Sequence, residues 1–582
     1  MNNMIELIRC VWSCRRFSVL LFLWFVAHQV QAEQRTVCLL PLTTSDAGSN
    51  DLIQSPTSTG HGFDPELHLG KKDAGWSAYM RLWEAHHEDP SNLEVRRFLG
   101  IPTTEPFVFQ ARRGRSSPRW LAWRPGTYAQ VDTSHFSIFS SADEKTTRQV
   151  AADLEMCFWV WTQLFFPLWE GAAQVASAFE DFQPSDSISD YLAATRPRLS
   201  IRRQFQVVLL KDAEQYQKTL QAEGPGIELS TGFYSDSLRT IFLYGVDGEA
   251  AETRRHELTH QLFREATRSG LGQESPGEKS DFWMVEGIAG YMESLVIGDR
   301  HATVGGWDSP RLQYARYRVL AGGDQIPPAE LMSDGQKDAQ NRSDLSRWYS
   351  HSIAHIHSLM DGNDAQARHW LYERLARLYR SRSGMSPLEE SDAVESRLLQ
   401  SWGDGLRRYL QLNAKTLVSY PAQHPLRVLC LTGCEIDEAA LQSIPPSNEM
   451  TWLDLARLPI RNESVMRLVP QPEKLQQLTL EVTRADDSLG PWLQRAADLR
   501  ELDMSWTKVG DDFLQSIKDC QEIEVLWMTG TQLTDQSVEV LLKFPQLESL
   551  DVQRSHITEA GLERIRQARP NLQLNPLELR LP

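Results

Sequence analysis

The stretch Leu499-Arg-Glu-Leu502-Asp-Met504-Ser-Trp-Thr507-Lys-Val509 decides how the last quarter of this 582-residue chain folds, because it recurs. Units opening apolar-x-x-apolar-x-apolar start at Leu426, Met450, Leu475, Leu499, Ile523 and Leu547, and a seventh start follows at Leu572, each 24 or 25 residues after the last. The alternating end of that pattern predicts a short strand, since strand side chains alternate with period 2. The second half of a unit, such as Thr534-Asp-Gln-Ser-Val-Glu-Val-Leu-Leu542, combines cap chemistry with helical spacing and predicts a helix. One such unit cannot bury its own apolar face, so residues 426–582 are expected to stack as an arc of six strand-plus-helix repeats.

Position nine of the unit is Cys434, Leu458, Thr483, Thr507, Thr531 and Ser555. The repeat resembles the leucine-rich repeat, in a variant with Thr, Cys or Ser where Asn is commoner. Between the inward leucines, two rows are expected on the concave side. One is Val428, Trp452, Gln477, Glu501, Val525 and Ser549; the other is Cys430, Asp454, Thr479, Asp503, Trp527 and Asp551. Residues 426–571 hold 24 acidic against 15 basic side chains. Trp452 and Trp527 beside Asp454, Glu501, Asp503 and Asp551 therefore predict a concave site for a cationic protein segment. The plainer alternative is that the arc only caps or spaces the domain before it.

Upstream, residues 253–263 read Thr-Arg-Arg-His256-Glu257-Leu-Thr-His260-Gln-Leu-Phe. On a helix, His256 and His260 share one face at a separation suited to one tetrahedral zinc ion, with Glu257 on the adjoining edge. Such a site polarises a carbonyl and activates a water molecule, for which Glu257 is the expected general base. A third donor is needed, and Trp283-Met-Val-Glu286-Gly-Ile-Ala-Gly-Tyr291-Met-Glu293 offers Glu286. Asp281, Glu278 and Glu293 are alternatives. Gly287 and Ala289 are small, as expected where this helix presses against the histidine helix.

Together the two segments resemble the gluzincin metallopeptidases, most closely the peptidase-MA-like branch with His-Glu-x-x-His followed by Trp-x-x-Glu-Gly-x-Ala-x-Tyr. The resemblance implies zinc held by His256, His260 and Glu286, with Glu257 as base. It also implies an α+β zincin-like fold, with the Gly232–Tyr234 and Arg239–Tyr244 hairpin as an edge strand on which substrate pairs. Residues 348–357, Trp-Tyr-Ser-His-Ser-Ile-Ala-His-Ile-His, resemble the family's Tyr-x-x-Ser helix, which makes Tyr349 a candidate oxyanion donor. Arg254 and Arg255 depart from the family's uncharged flank, and the solvent edge of the helix is where they would be tolerated. His351 and His355 are also four apart, but without a following carboxylate a packed or solvated face is expected.

The N-terminus carries Arg9, Arg15 and Arg16, an 11-residue apolar run Phe17–Ala27 and Ala32, the order of a secretory signal and too short for a spanning helix. A net charge of -17 disfavours a nucleic-acid reader or a polybasic membrane surface. Beyond residue 32 the five cysteines Cys38, Cys157, Cys430, Cys434 and Cys520 contain no Cys-x-x-Cys pair and are expected as buried small hydrophobes. Asn341-Arg-Ser and Asn462-Glu-Ser fit the glycosylation pattern. Ser45 to Gly62 has the composition of a mobile segment. The expected division is a signal at 1–32, a small irregular region at 33–130, the zincin-like domain at 131–425 and the repeats at 426–582. This combination resembles exported proteins of planctomycete-type bacteria and predicts an exported zinc metallopeptidase hydrolysing peptide bonds. The rival reading is a catalytically inactive metallopeptidase shell that binds through its repeats.

Overall fold

A computed structural model describes residues 35–42, 62–103, 109–183, 185–199, 204–221, 230–245, 248–267, 274–381, 388, 391–419, 422 and 425–575. The signal segment and nearly all of the Ser45–Gly62 stretch lie outside them. Two compact units result: Gln34–Gly306 with Pro327–Trp402, and Trp307–Ile326 with Gly403–Pro582. These limits differ from the sequence boundaries at 130 and 425. Strands from 36 to 132 join sheets of the first unit, and the 307–326 segment joins the second.

In the first unit, β1 (Thr36–Leu39) pairs with a strand far along the chain, described below. The main sheet contains β2 (Arg112–Arg113), β3 (Ala129–Asp132), β4 (Phe136–Ser140), β5 (Phe205–Leu210), β6 (Gly232–Ser235) and β7 (Thr240–Tyr244). Its order is β2-β3-β4-β5-β7-β6, with β4, β5 and β7 parallel and β6 antiparallel on the edge. β5 and β7 are near-continuous apolar runs, as strands covered on both faces require. The helix α1 (Glu144–Leu164) is started by Asp143, which accepts the Thr146 N–H, and buries Val150, Leu154, Phe158 and Trp161. The helix α2 (Gly248–Gln261) follows β7 and packs on β6, β7 and α1. It widens at once into a π-turn over Leu262–Ala266. The helix α3 (Phe282–Met292) is buried along its whole length and lies between α2 and α4 (Leu345–Asp361). A small sheet of β8 (Val296–Ile297), β9 (His301–Val304) and β1 completes the unit.

The second unit is a leucine-rich-repeat solenoid. Seven parallel strands, β10 (Val428–Cys430), β11 (Trp452–Asp454), β12 (Gln477–Thr479), β13 (Glu501–Asp503), β14 (Val525–Trp527), β15 (Ser549–Asp551) and β16 (Gln573–Leu574), pair equivalent positions of successive repeats. The middle row, from Leu429 through Leu453, Leu478, Leu502 and Leu526 to Leu550, is fully buried. The helical halves vary in length, from four residues at Val538–Leu541 and Glu438–Leu441 to ten at Glu559–Ala568. Each strand ends in a turn closed by an aspartate in three repeats: Asp454, Asp503 and Asp551 accept the N–H two residues on, at 2.9–3.0 Å. Asp503→Ala would leave a buried N–H unpaired, and its expected cost is about 1–3 kcal/mol in denaturant unfolding, with no change in metal content.

The five described cysteines are buried and form no disulfide with one another, as expected. Asn462 contradicts the glycosylation pattern: its buried amide donates to Asp486 Oδ1 at 2.8 Å and Ser488 Oγ at 2.7 Å, leaving no room for a glycan.

Candidate metal centre

One turn of α2 separates His256 from His260 and places both rings on one face, centroids 4.8 Å apart. α3 brings Glu286 over them. Its Oε2 lies 3.4 Å from His256 Nε2 and its Oε1 3.8 Å from His260 Nε2. All three donor atoms fall within 4.8 Å of one another, the one such group among the described residues. Bonds of about 2.1 Å to a tetrahedral zinc would hold donors about 3.4 Å apart, so the observed separations need only a small adjustment to close on an ion.

Glu293 sits seven residues beyond Glu286, two turns along the same face, and its Oε1 is 2.9 Å from His256 Nδ1. A carboxylate only accepts, so Nδ1 carries a proton there and Nε2 is the nitrogen turned to the centre, the one that would hold a metal. Burial disfavours charge on His256, but its hydrogen bonds to Glu286 and Glu293 outweigh that and hold its pKa up at about 10. A metal ion would therefore enter by displacing a proton. Burial lowers His260 to about 4, which keeps that imidazole neutral and ready to donate. Burial works to raise Glu286, yet the hydrogen bond from His256, the charge on that ring and, last, a hydrogen bond from Tyr349 hold it below the usual carboxylate range. Glu257 is different. Burial pushes it up to about 7, and its Oε2 accepts the Tyr234 N–H of the edge strand at 2.8 Å.

β6 pairs with β7 on one side only among the described residues; on its other edge the Gly232 N–H and carbonyl bond the Ser230 hydroxyl and the Tyr234 N–H is held by Glu257. Gly232 fits there tightly: a Cβ would stand 3.0 Å from Glu257 Cγ and from Thr253 Cγ2.

Several expectations need correction. Arg254 and Arg255 are not on a solvent edge; both turn to Asp153 on α1, at 2.8 and 3.2 Å, and so fix α2 against α1. Gly287 does make a close helix contact, but with α4: a Cβ there would lie 2.5 Å from Ile356 Cγ1 and 2.8 Å from the Ser352 carbonyl oxygen. Of the rival ligands, Glu278 is exposed and Asp281 pairs with Arg374 at 3.4 Å, while Glu293 holds the far nitrogen of His256. Tyr349 comes to the centre on α4, with its hydroxyl bonded to Glu286. His351 and His355 form a packed face, His351 against the Arg347 carbonyl and His355 stacked on Trp402 at 4.0 Å.

The concave face of the repeats also differs from expectation. Asp454, Asp503 and Asp551 are buried in their turns, so their carboxylates are not offered to a partner. Trp452 is 8% exposed because Tyr314 and Tyr317 cover it, ring centroids 5.0 and 5.5 Å away. The same segment fills the start of the face, where Gln313 accepts the Cys430 N–H and Arg316 bonds the Cys430 carbonyl. Glu501 and Trp527 remain half-buried, and burial raises Glu501 to about 7.

Residues not singled out from the sequence complete the centre's surroundings. Asp361 accepts the Tyr291 hydroxyl at 2.8 Å and the Gly306 N–H at 3.0 Å, anchoring the end of α3. The buried Tyr379 packs on Phe263 of the π-turn. Neither lies at a spacing that a motif could show.

No family model matches the chain, and no curated protein matches it. Among solved structures it is similar to an internalin from Listeria monocytogenes, at 16% identity and a TM-score of 0.21, over 26% of this chain and 47% of that one. It is also similar to a leucine-rich-repeat protein from Leptospira interrogans, at 18% identity and a TM-score of 0.18, over 26% and 48%. The chain thus spans less than half the length of either. No described helix is long and apolar enough to cross a membrane.

Proposed function

We propose that the chain is an exported zinc metallopeptidase of gluzincin type that hydrolyses peptide bonds, with the repeats serving recognition. The observation that carries the reading is the convergence of His256, His260 and Glu286 from two helices, with the carboxylate of Glu257 beside them. Three donors leave a fourth position open, the pattern of a catalytic site rather than a closed structural one. Zinc bound there would act as a Lewis acid on a peptide carbonyl and lower the pKa of water. The chain's own groups supply the rest. Glu257, raised towards neutrality, takes the proton of water and returns it to the leaving amine. The outer edge of β6, which no described strand covers, would align an extended peptide by backbone pairing once its N–H groups exchange Ser230 and Glu257 for substrate. Tyr349 supplies a hydroxyl for the carbonyl oxygen as charge develops on it.

The test is elemental analysis of the purified full chain. One zinc per chain is expected, and His256→Ala and Glu286→Gln should each lose it. Unchanged stoichiometry in Glu286→Gln would move the third ligand elsewhere.

A further inference from the structure

At position eight of every repeat the backbone turns left-handed. Gly433, Arg457, Val482, Trp506, Gly530 and Arg554 have φ of 73°, 65°, 56°, 60°, 68° and 57°. The fold imposes this, because the N–H at that position donates to the next repeat: Arg457 to the Glu481 carbonyl, Val482 to Ser505, Trp506 to Thr529 and Gly530 to Gln553, at 2.7–2.9 Å. Glycine meets the requirement without strain, as in the first and fifth repeats. A β-branched valine or a tryptophan meets it badly, so folding alone does not select Val482 and Trp506.

Both side chains are nonetheless turned outward, 48% and 43% exposed, and they are the exposed large hydrophobics among the described residues of the repeats. They stand on adjacent turns, about 4.8 Å apart by strand spacing. The Trp506 ring lies across Gly530, where a Cβ would be 2.4 Å from its Cε3, and the Arg554 guanidinium sits 5.5 Å over the ring. Along the edge the order is Arg457, Val482, Trp506, the Gly530 gap and Arg554, with Arg484 and Lys508 exposed in the next row. Arg457 pairs with Glu481 at 3.4 Å, and the three further exposed cations, Arg484, Lys508 and Arg554, flank an apolar centre in a region that is otherwise strongly acidic.

We propose that this turn edge, and not the concave face, is a docking site for an extended polypeptide segment with an apolar residue between acidic ones. Charge complementarity selects acidic flanks. The apolar pair selects a side chain: Val482 offers no planar face to a sugar ring, whereas an aliphatic or aromatic residue can pack on both Val482 and Trp506. The site is independent of the metal centre.

The test uses the full chain and synthetic 12-residue peptides with Leu or Phe at the centre and Asp and Glu on both flanks. Controls carry Lys flanks or a Gly centre, and polygalacturonate represents an anionic sugar polymer. Preference for the acidic apolar peptide is expected, weakened about tenfold or more in Trp506→Ala and in Arg554→Glu, and weakened by salt. Val482→Asn should weaken binding while Tm stays the same or rises, since Asn tolerates the left-handed turn. Equal binding of the controls, or binding of polygalacturonate alone, would overturn the proposal. So would a Tm loss of more than about 3 °C in Val482→Asn, which would make the valine a stabilising residue.

Discussion

Glu257→Gln is expected to cut peptide hydrolysis by about a hundredfold or more while zinc stays at one per chain and unfolding is unchanged. Glutamine has the size of glutamate and its carbonyl oxygen can still accept the Tyr234 N–H, so the tight contact with Gly232 is preserved. What it lacks is a carboxylate that can take a proton from water. The residue is not among the three donors, so metal retention separates loss of the base from loss of the centre. Mass spectrometry of a diverse peptide library reads the result. Identical background cleavage by the wild type and the variant, both zinc-loaded, would favour the inactive shell that binds through its repeats.

Gly287→Val is expected to destabilise the first unit by about 3 kcal/mol and to lose zinc as well. The first added carbon would already meet Ile356 Cγ1 at 2.5 Å and the Ser352 carbonyl oxygen at 2.8 Å, and a backbone oxygen cannot rotate away. α3 must then move off α4. Glu286 is the preceding residue on α3, and Tyr349 on α4 bonds it, so the carboxylate loses both position and support. Thermal unfolding and elemental analysis of the same preparation check both effects; normal zinc content in a folded variant would show that Glu286 does not depend on this helix contact.

The repeats were legible because each unit restates the same constraint: the inward leucines recur with period 24 and the stacked strands pair like with like. The convergence of His256 and His260 was legible because a four-residue step on a helix is a local geometric fact. What could not be read was tertiary. A concave row alternates correctly in sequence, but nothing local says that Tyr314 and Tyr317, more than a hundred residues upstream, cover Trp452. Likewise Arg254 and Arg255 find Asp153 about a hundred residues away. Glu293 was visible as an acid on the right face, but whether it bonds the metal or the back of a ligand depends on side-chain reach. Asp454, Asp503 and Asp551 could have been assigned to the turn, since an aspartate where a chain turns commonly accepts the N–H two residues on.

The five buried thiols give the molecule its own opening reporter. Burial raises Cys38 beyond the range of an ordinary thiol and Cys157 to about 12 in the first unit, and Cys520 to about 11 in the second. An alkylating reagent needs the thiolate, so at neutral pH it reacts only with chains that have opened locally. Labelling Cys38 and Cys157 against Cys430, Cys434 and Cys520, peptide by peptide, would time the breathing of the metal-centre unit and of the solenoid separately in one sample. Zinc should slow the first clock by mass action and leave the second running as before.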